Sequence, residues 1–247
     1  MRKGLAIIVC SLVLGVFFIQ AGTAQAQNKS KTIVFKNDPA NKNVAQVNIN
    51  FGAESQVTKN DFLSICNMRG TPSNLNCGFD LKPGESKTFD PKGKQMNFAV
   101  AFNKVVDCGA TKGEASINMN KPDPNTHKPM QDTFDVSVVD GFNEKITATY
   151  DPAPNTPAKK VVLGPPCGLD NNQRAYGVFP YGCTICAGGR TKANKRCGYS
   201  DNDTLNCKSG TEKNPGVLCQ YNFNDNTEAK GTITFVIVPQ NTPCQNK

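Results

Sequence analysis

The chain has 247 residues, a formal net charge of +8 and 38% hydrophobic residues, with a single histidine and no tryptophan. The positive charge is spread along the chain and no aromatic-plus-Arg pattern accompanies it, so we expect no nucleic-acid partner. His127 lies in a proline-rich segment, which leaves no good candidate for a Ser-His-Asp centre. The charge favours solubility and some attraction to acidic polysaccharides or cell surfaces.

The N-terminal segment has the pattern of a secretory signal peptide. A basic start at residues 1–3 precedes an apolar run over 4–19, and Ala-Gln-Ala at 24–26 offers a small-x-small cleavage site. The run is shorter than the about 20 residues that a membrane-spanning helix needs, so a retained anchor is the less favoured alternative. We therefore predict a signal peptide over 1–26, no integral membrane anchor, and a secreted protein (periplasmic or at the cell surface if bacterial).

The cysteines indicate an oxidised protein. Removal of 1–26 takes away Cys10 and leaves ten of the eleven cysteines, an even number. In an exported chain this predicts five disulfides, although the spacing does not give their pairing. The ten are Cys66, Cys77, Cys108, Cys167, Cys183, Cys186, Cys197, Cys207, Cys219 and Cys244.

The pair Cys183 and Cys186 has the spacing of a redox centre or of half a zinc site. Neither a βαβ pattern nor a second such pair accompanies it, which favours structural disulfides. We therefore predict no metal and no cofactor.

Apolar and polar residues alternate along much of the mature chain, which predicts β-strands. The segment AQVNINF at 45–51 alternates throughout. Similar apolar sets are Phe98, Val100 and Phe102; Phe134, Val136 and Val138; Ile146, Ala148 and Tyr150; and Ile233, Phe235 and Ile237. Strands with one polar face predict an all-β fold, with antiparallel sheets packed as a β-sandwich.

Turn residues separate these predicted strands. Asp-Pro-Lys-Gly at 90–93 predicts a type I turn. The segment from Asp140 to Glu144 predicts a short hairpin loop between the strands on either side of it.

Composition divides the mature chain. We predict a β-sandwich domain over 27–151 and a proline-rich linker over 152–160. Residues 161–222 contain six of the ten cysteines and few long apolar runs, so we predict a smaller disulfide-rich lobe of loops. The last segment, 223–247, is predicted to return a strand to the sandwich.

Three blocks of the sequence resemble the thaumatin-like (osmotin) family. Residues 132–143, DTFDVSVVDGFN, resemble its signature strand and turn. Residues 77–86, CGFDLKPGES, resemble its Gly-Phe-x-Leu-x-Pro-Gly-x-Ser segment, and 219–225, CQYNFND, resemble the stretch before its last strand. The blocks occur in family order.

The resemblance implies a flattened two-sheet sandwich beside a disulfide-rich lobe, with an acidic cleft that binds cell-wall polysaccharide of the β-1,3-glucan type. A defensive, antifungal role is expected on the same ground. Separately, we expect the protein to be a monomer. Four residues correspond to the acidic positions of the cleft: Glu114, Asp135, Asp140 and Asp225. The basic position of the cleft has no clear counterpart, although Lys104 lies nearby in sequence.

Local chemistry leaves alternatives open. Asp140 suits a turn and Asp135 suits the outer face of a strand, without any ligand. Two carboxylates can also serve an endo-β-1,3-glucanase, and a sandwich can act as a non-catalytic surface or interaction protein. Sugar stacking, if present, would use Tyr176, Phe179 and Tyr181, since tryptophan is absent.

Overall fold

Eleven strands and one short helix make up the regular structure of the described residues. The computed structural model describes residues 29–52, 54–62, 66, 76–106, 110–120, 130–138, 143–165, 218–224 and 227–243. In chain order the elements are β1 (Ser30–Asn37), β2 (Ala45–Phe51), α1 (Lys59–Phe62), β3 (Asn76–Leu81), β4 (Ser86–Phe89), β5 (Met96–Phe102), β6 (Lys112–Ile117), β7 (Thr133–Ser137), β8 (Lys145–Pro152), β9 (Val161–Leu163), β10 (Leu218–Asn222) and β11 (Lys230–Val238). Within these ranges, no helix is long and apolar enough to cross a membrane.

The strands form two sheets. The five-stranded sheet has the order β4-β1-β11-β8-β9, and the six-stranded sheet has the order β10-β7-β6-β5-β2-β3. Neighbouring strands are antiparallel except β1 and β11, which run parallel with Ile33 opposite Ile233. The predicted all-β sandwich is therefore confirmed, and β2 spans the predicted 45–51.

Aromatic side chains from both sheets fill the space between them. Phe35 from β1 and Phe235 from β11 meet Phe98 from β5, with ring centroids 6.0 and 5.8 Å from that of Phe98 and edge-to-face angles. All three rings are buried. Offset and edge-to-face pairs of this kind stabilise a core by about 0.5–1.5 kcal/mol beyond the burial of their area.

A buried ion pair joins the two sheets at one end of the sandwich. Lys31 of β1 and Asp132, the residue before β7, have fully buried side chains, and Lys31 Nζ donates to Asp132 Oδ2 at 2.6 Å. The same carboxylate accepts the backbone N–H groups of Asn118 and Met119 at 2.9 and 2.8 Å. Lys29 Nζ approaches its other oxygen at 3.3 Å. Both oxygens of Asp132 are thus satisfied inside the protein.

The backbone beside Asp132 also holds the end of β10. The N–H of Phe223 donates to the carbonyl of Asp132 at 2.9 Å, and Gln131 Nε2 donates to the carbonyl of Phe223 at 2.6 Å. The ammonium of Lys31 lies 4.4 Å from the centroid of the Phe223 ring, within cation–π range. One ion pair therefore links β1, the end of β6 and the adjacent ends of β7 and β10.

The first turn prediction is wrong in position and type, and the second is wrong in the strands that it joins. At 90–93, the N–H of Lys92 bonds Asp90 Oδ1 at 2.8 Å, and the turn forms one residue later, between Pro91 and Lys94. Its central residues, Lys92 and Gly93, have φ of 51° and 76°, so it is not a type I turn. The predicted hairpin loop instead connects the two sheets, because β7 pairs with β6 and β10 whereas β8 pairs with β11 and β9.

Both ends of the predicted disulfide-rich lobe belong to the sheets. Val161–Leu163 pairs with β8, and Leu218–Asn222 pairs with β7. Residues 166–217, between them, lie outside the described residues. In the predicted linker, Lys160 Nζ forms an exposed ion pair with Asp151 at 2.8 Å and Ala158 packs against the core. The final strand, β11, lies between β1 and β8 in the five-stranded sheet.

One disulfide joins Cys66 to Cys77, with 5.7 Å between the Cα atoms. It ties the segment after α1 to β3. Of the other predicted bridge cysteines, Cys219 has no described side chain. The remaining seven lie outside the described residues, namely Cys108, Cys167, Cys183, Cys186, Cys197, Cys207 and Cys244.

Replacement of Asp132 by Asn should lower the free energy of unfolding by about 3–5 kcal/mol, because it leaves the Lys31 ammonium buried without its counter-charge. Urea unfolding of the oxidised protein measures this. Asp151→Asn is the matched control, since its ion pair is exposed and should change stability by less than about 1 kcal/mol.

Combining Lys31→Met with Asp132→Asn should recover part of the loss, since no unpaired buried charge remains. Equal losses for Asp132→Asn and Asp151→Asn would contradict the role given to the ion pair.

Candidate functional site

The outer face of the six-stranded sheet carries the candidate site. In β6, Gly113, Ala115 and Ile117 face inward, so the alternate residues Lys112, Glu114 and Ser116 face outward. In β7, Phe134 and Val136 are buried, which places Thr133 and Asp135 on the same outer face. The alternation of the sequence therefore sets two carboxylates on the outer face of the sandwich.

Strand register makes the two carboxylates direct neighbours. Glu114 of β6 lies opposite Asp135 of β7, and Ser116 lies opposite Thr133. Opposed residues in an antiparallel pair have Cβ atoms about 4.5–5.5 Å apart. Gly113 allows β6 to pack closely against the other sheet, because a Cβ at this position would overlap the ring of Phe235 in that sheet. The core thus positions the strand that presents Glu114.

Asp135 is held in an unfavourable environment for a charge. Part of the residue is accessible, but its Oδ1 atom is buried and has no hydrogen-bond partner in the described part of the chain. Burial raises the pKa of Asp135 well above 3.8, and the neighbouring Glu114 raises it further. Both effects favour the protonated form of Asp135.

An open cavity of about 420 Å³ lies over this pair. Its polar lining comes from four strands, β2, β5, β6 and β7. Gly52 also lines it, and a Cβ at this glycine would overlap the side chain of Asn97. The polar side chains that line it are Asn50, Asn97, Lys112, Glu114, Ser116, Thr133 and Asp135. Amide, hydroxyl, carboxyl and ammonium groups together can both donate and accept hydrogen bonds to a polyhydroxylated ligand.

Lys112 is a site residue that the sequence interpretation did not select. It lines the cavity, and only 4% of its surface is exposed. The basic residue considered from sequence, Lys104, instead belongs to the 103–106 segment, whose backbone carbonyl at 104 accepts a bond from Asn48 Nδ2 at 3.0 Å. Lys112 and Glu114 are two residues apart in a strand, which places their side chains on the same face of the sheet. This spacing is the sequence signal that identifies Lys112 as a site residue.

The structure brings two of the four predicted acidic residues together, Glu114 and Asp135. Asp140 and Asp225 lie outside the described residues, as do the proposed stacking residues Tyr176, Phe179 and Tyr181, and His127. No group of three or more His, Cys, Asp or Glu residues in the described ranges is arranged to hold a metal ion.

These features define an all-β sandwich protein with a carboxylate pair in a polar cavity on its larger sheet. No family model matches the chain, and no curated protein is similar to it in sequence. Among solved structures, the protein elicitor MoHrip2 from Magnaporthe oryzae is 9% identical, with a TM-score of 0.35. That comparison covers 85% of this chain and 99% of the other, and its TM-score is too low to support any inference. The thaumatin-like resemblance therefore stays a prediction.

Asp135→Asn should raise the melting temperature at pH 7. A carboxyl group with a raised native pKa loses stability as the pH rises from about 3.8 through that raised value, and an amide does not titrate. The expected gain is roughly 2–4 °C for each kcal/mol of relieved desolvation. Near pH 3, where the carboxyl group is protonated in both the folded and unfolded chain, the two proteins should melt together.

Thermal unfolding from pH 3 to pH 8 tests this, with Asp151→Asn as the exposed control. In a protein that keeps Asp135, Glu114→Gln should lower the pKa of Asp135, because it removes the neighbouring carboxylate that repels the ionised form. The loss of stability that accompanies ionisation of Asp135 should then occur at lower pH. A pH dependence that is the same in Asp135→Asn as in the parent would disprove the assignment.

Proposed function

We propose that this protein is secreted and binds cell-wall polysaccharide of the β-1,3-glucan type through the cavity over Glu114 and Asp135, without hydrolysing it. An antifungal, defensive role would follow from such binding, as the thaumatin-like resemblance implies. The single observation that carries the proposal is the buried Oδ1 of Asp135, which has no hydrogen-bond partner among the described residues and lies beside Glu114 in a polar cavity.

An unsatisfied buried acceptor costs about 1–3 kcal/mol, which a ligand hydroxyl group can recover by donating to it. In its protonated form, which its raised pKa favours, Asp135 also carries an O–H donor, and Glu114 supplies an acceptor beside it. Sugar hydroxyl groups both donate and accept, so they match this mixed pair better than a purely anionic or purely cationic ligand does. The amides and hydroxyls of Asn97, Ser116 and Thr133 extend the same chemistry.

Hydrolysis is the second candidate function, and one observation favours it. A glycosidase needs one carboxyl group that stays protonated and a second that is ionised, and the raised pKa of Asp135 suits it to the first of these roles. Binding is preferred because it requires hydrogen bonds alone, whereas hydrolysis also requires two carboxyl groups that flank the glycosidic bond, and Glu114 and Asp135 lie side by side on one face of the sheet.

Sedimentation with insoluble β-1,3-glucan tests the binding proposal. Asp135→Ala and Glu114→Gln should each weaken binding by about tenfold, equivalent to about 1.4 kcal/mol, because each removes a hydrogen-bonding group from the cavity. Asp151→Asn, on the other sheet, should bind as the parent does. Undiminished binding by both cavity variants, each confirmed as folded, would reject the cavity as the binding site.

Asp135→Asn separates binding from hydrolysis. An amide imitates the size and hydrogen bonding of a protonated carboxyl group, so this variant should bind the glucan within about threefold of the parent. An amide cannot donate a proton to a leaving group, so any genuine hydrolysis should disappear. We expect no release of reducing sugar by the parent protein. Steady release that Asp135→Asn abolishes would establish the glucanase instead.

A further inference from the structure

A second cavity adjoins the first on the outer face of the six-stranded sheet. It has a volume of about 620 Å³ and lies over β2 and β3, and it shares Asn50 and Val106 with the cavity over the carboxylate pair. We call it the amide cavity, because Gln46, Asn48, Asn50 and Asn76 line it. We refer to these two adjoining cavities together as the trough.

The register of the strands shows how the trough runs. Asn76 lies opposite Asn50, Asn50 opposite Ala99, Ala99 opposite Glu114, and Glu114 opposite Asp135. This row crosses five neighbouring strands at right angles to them. With about 4.8 Å between strands, it is about 19 Å long. A ligand that fills the trough is therefore extended and contacts one side chain from each strand.

The amide cavity is polar but carries little charge. Among the described residues that line it, Asp80 is the charged one. Asn48 lies opposite Gly78, and a Cβ built on that glycine would lie 3.6 Å from Asn48 Oδ1. The missing side chain leaves this amide oxygen uncovered on that side. Neutral acceptors and donors of this kind suit hydroxyl groups rather than phosphate, sulfate or ammonium groups.

An exposed apolar side chain stands beside these amides. Val105 lines the amide cavity with 63% of its surface exposed, and it is one of three large hydrophobic side chains exposed in the described part of the chain. Its position is fixed, because Asn48 Nδ2 donates to the carbonyl of Lys104 at 3.0 Å and Asn50 Nδ2 donates to that of Val106 at 3.4 Å. A sugar ring has hydroxyl groups at its rim and C–H groups on its faces, so it matches amides placed beside an aliphatic side chain.

We propose that the trough holds one extended, uncharged polysaccharide chain that crosses the strands, with the amide cavity binding sugar units beyond those over Glu114 and Asp135. This inference rests on the proposed function and adds the direction, the length and the neutrality of the ligand. It also assigns a binding role to Asn76 and Val105, which do not line the cavity over Glu114 and Asp135 (the acidic cavity).

Binding of β-1,3-linked glucose trisaccharide and hexasaccharide, measured by calorimetry, tests the proposal. The parent should bind the hexasaccharide at least about tenfold more tightly than the trisaccharide, equivalent to about 1.4 kcal/mol. Asn76→Ala and Val105→Ser, both at exposed positions, should remove most of this advantage and leave trisaccharide affinity unchanged. Val162→Ser is the matched control, since this valine is also exposed but lies on β9 of the other sheet.

The outcomes separate the two proposals. Equal affinities of the parent for both oligosaccharides, or equal losses for both in Val105→Ser, would overturn the extended trough and leave glucan binding at the acidic cavity intact. Absence of binding to either oligosaccharide, together with no retention on insoluble glucan, would overturn the proposed function and the trough with it. Selective loss of hexasaccharide affinity in Asn76→Ala and Val105→Ser, but not in Val162→Ser, supports the trough.

Discussion

The candidate site depends on the buried carboxylate of Asp132. This group bonds the backbone N–H groups that follow β6 and directly precedes β7, so it holds adjacent ends of the two strands that present Glu114 and Asp135. Its partner Lys31 comes from the other sheet. Because a one-residue slip would turn every side chain of a strand to the opposite face, an anchor here sets which residues face the cavity. A buried ion pair gives little net stability, so we interpret this one as a determinant of register.

Much of the fold could be predicted from sequence, because alternation is a local property. The segments around Val47, Phe98, Phe134, Ala148 and Phe235 are all strands with those residues inside. Pairing is not local, and there prediction failed. A turn-rich segment between β7 and β8 looks the same whether it joins neighbours in one sheet or crosses between sheets. The parallel contact of β1 with β11 likewise joins residues about two hundred positions apart, which no short pattern reveals.

The site was less predictable than the fold. Glu114 and Asp135 were selected through the family resemblance, since a single outward carboxylate in a strand has no distinguishing local signal. The sequence alone does not single out Lys112, although it shares a face with Glu114. Lys31 is likewise indistinguishable from an exposed lysine until the core that surrounds it is known. The asparagines of the amide cavity alternate as any polar face does. Only the register, which places Asn76, Asn50 and the two carboxylates in one row, gives them a common role.

The candidate site lowers the stability of the folded protein, but paired strands hold its side chains in place. Keeping Asp135 Oδ1 buried without a hydrogen-bond partner among the described residues destabilises the native state, and an apolar side chain there would not carry that penalty. The row of ligand-facing groups is carried by paired strands, and the Val105 segment is itself bonded to β2 by two asparagine side chains. Little ordering is then needed when a flexible polymer binds, so the entropy cost falls mainly on the ligand. Asp132 fixes the register at the end of the sheet, and Asp135 places a buried acceptor without a partner among the described residues on its outer face. This combination favours recognition of an extended chain.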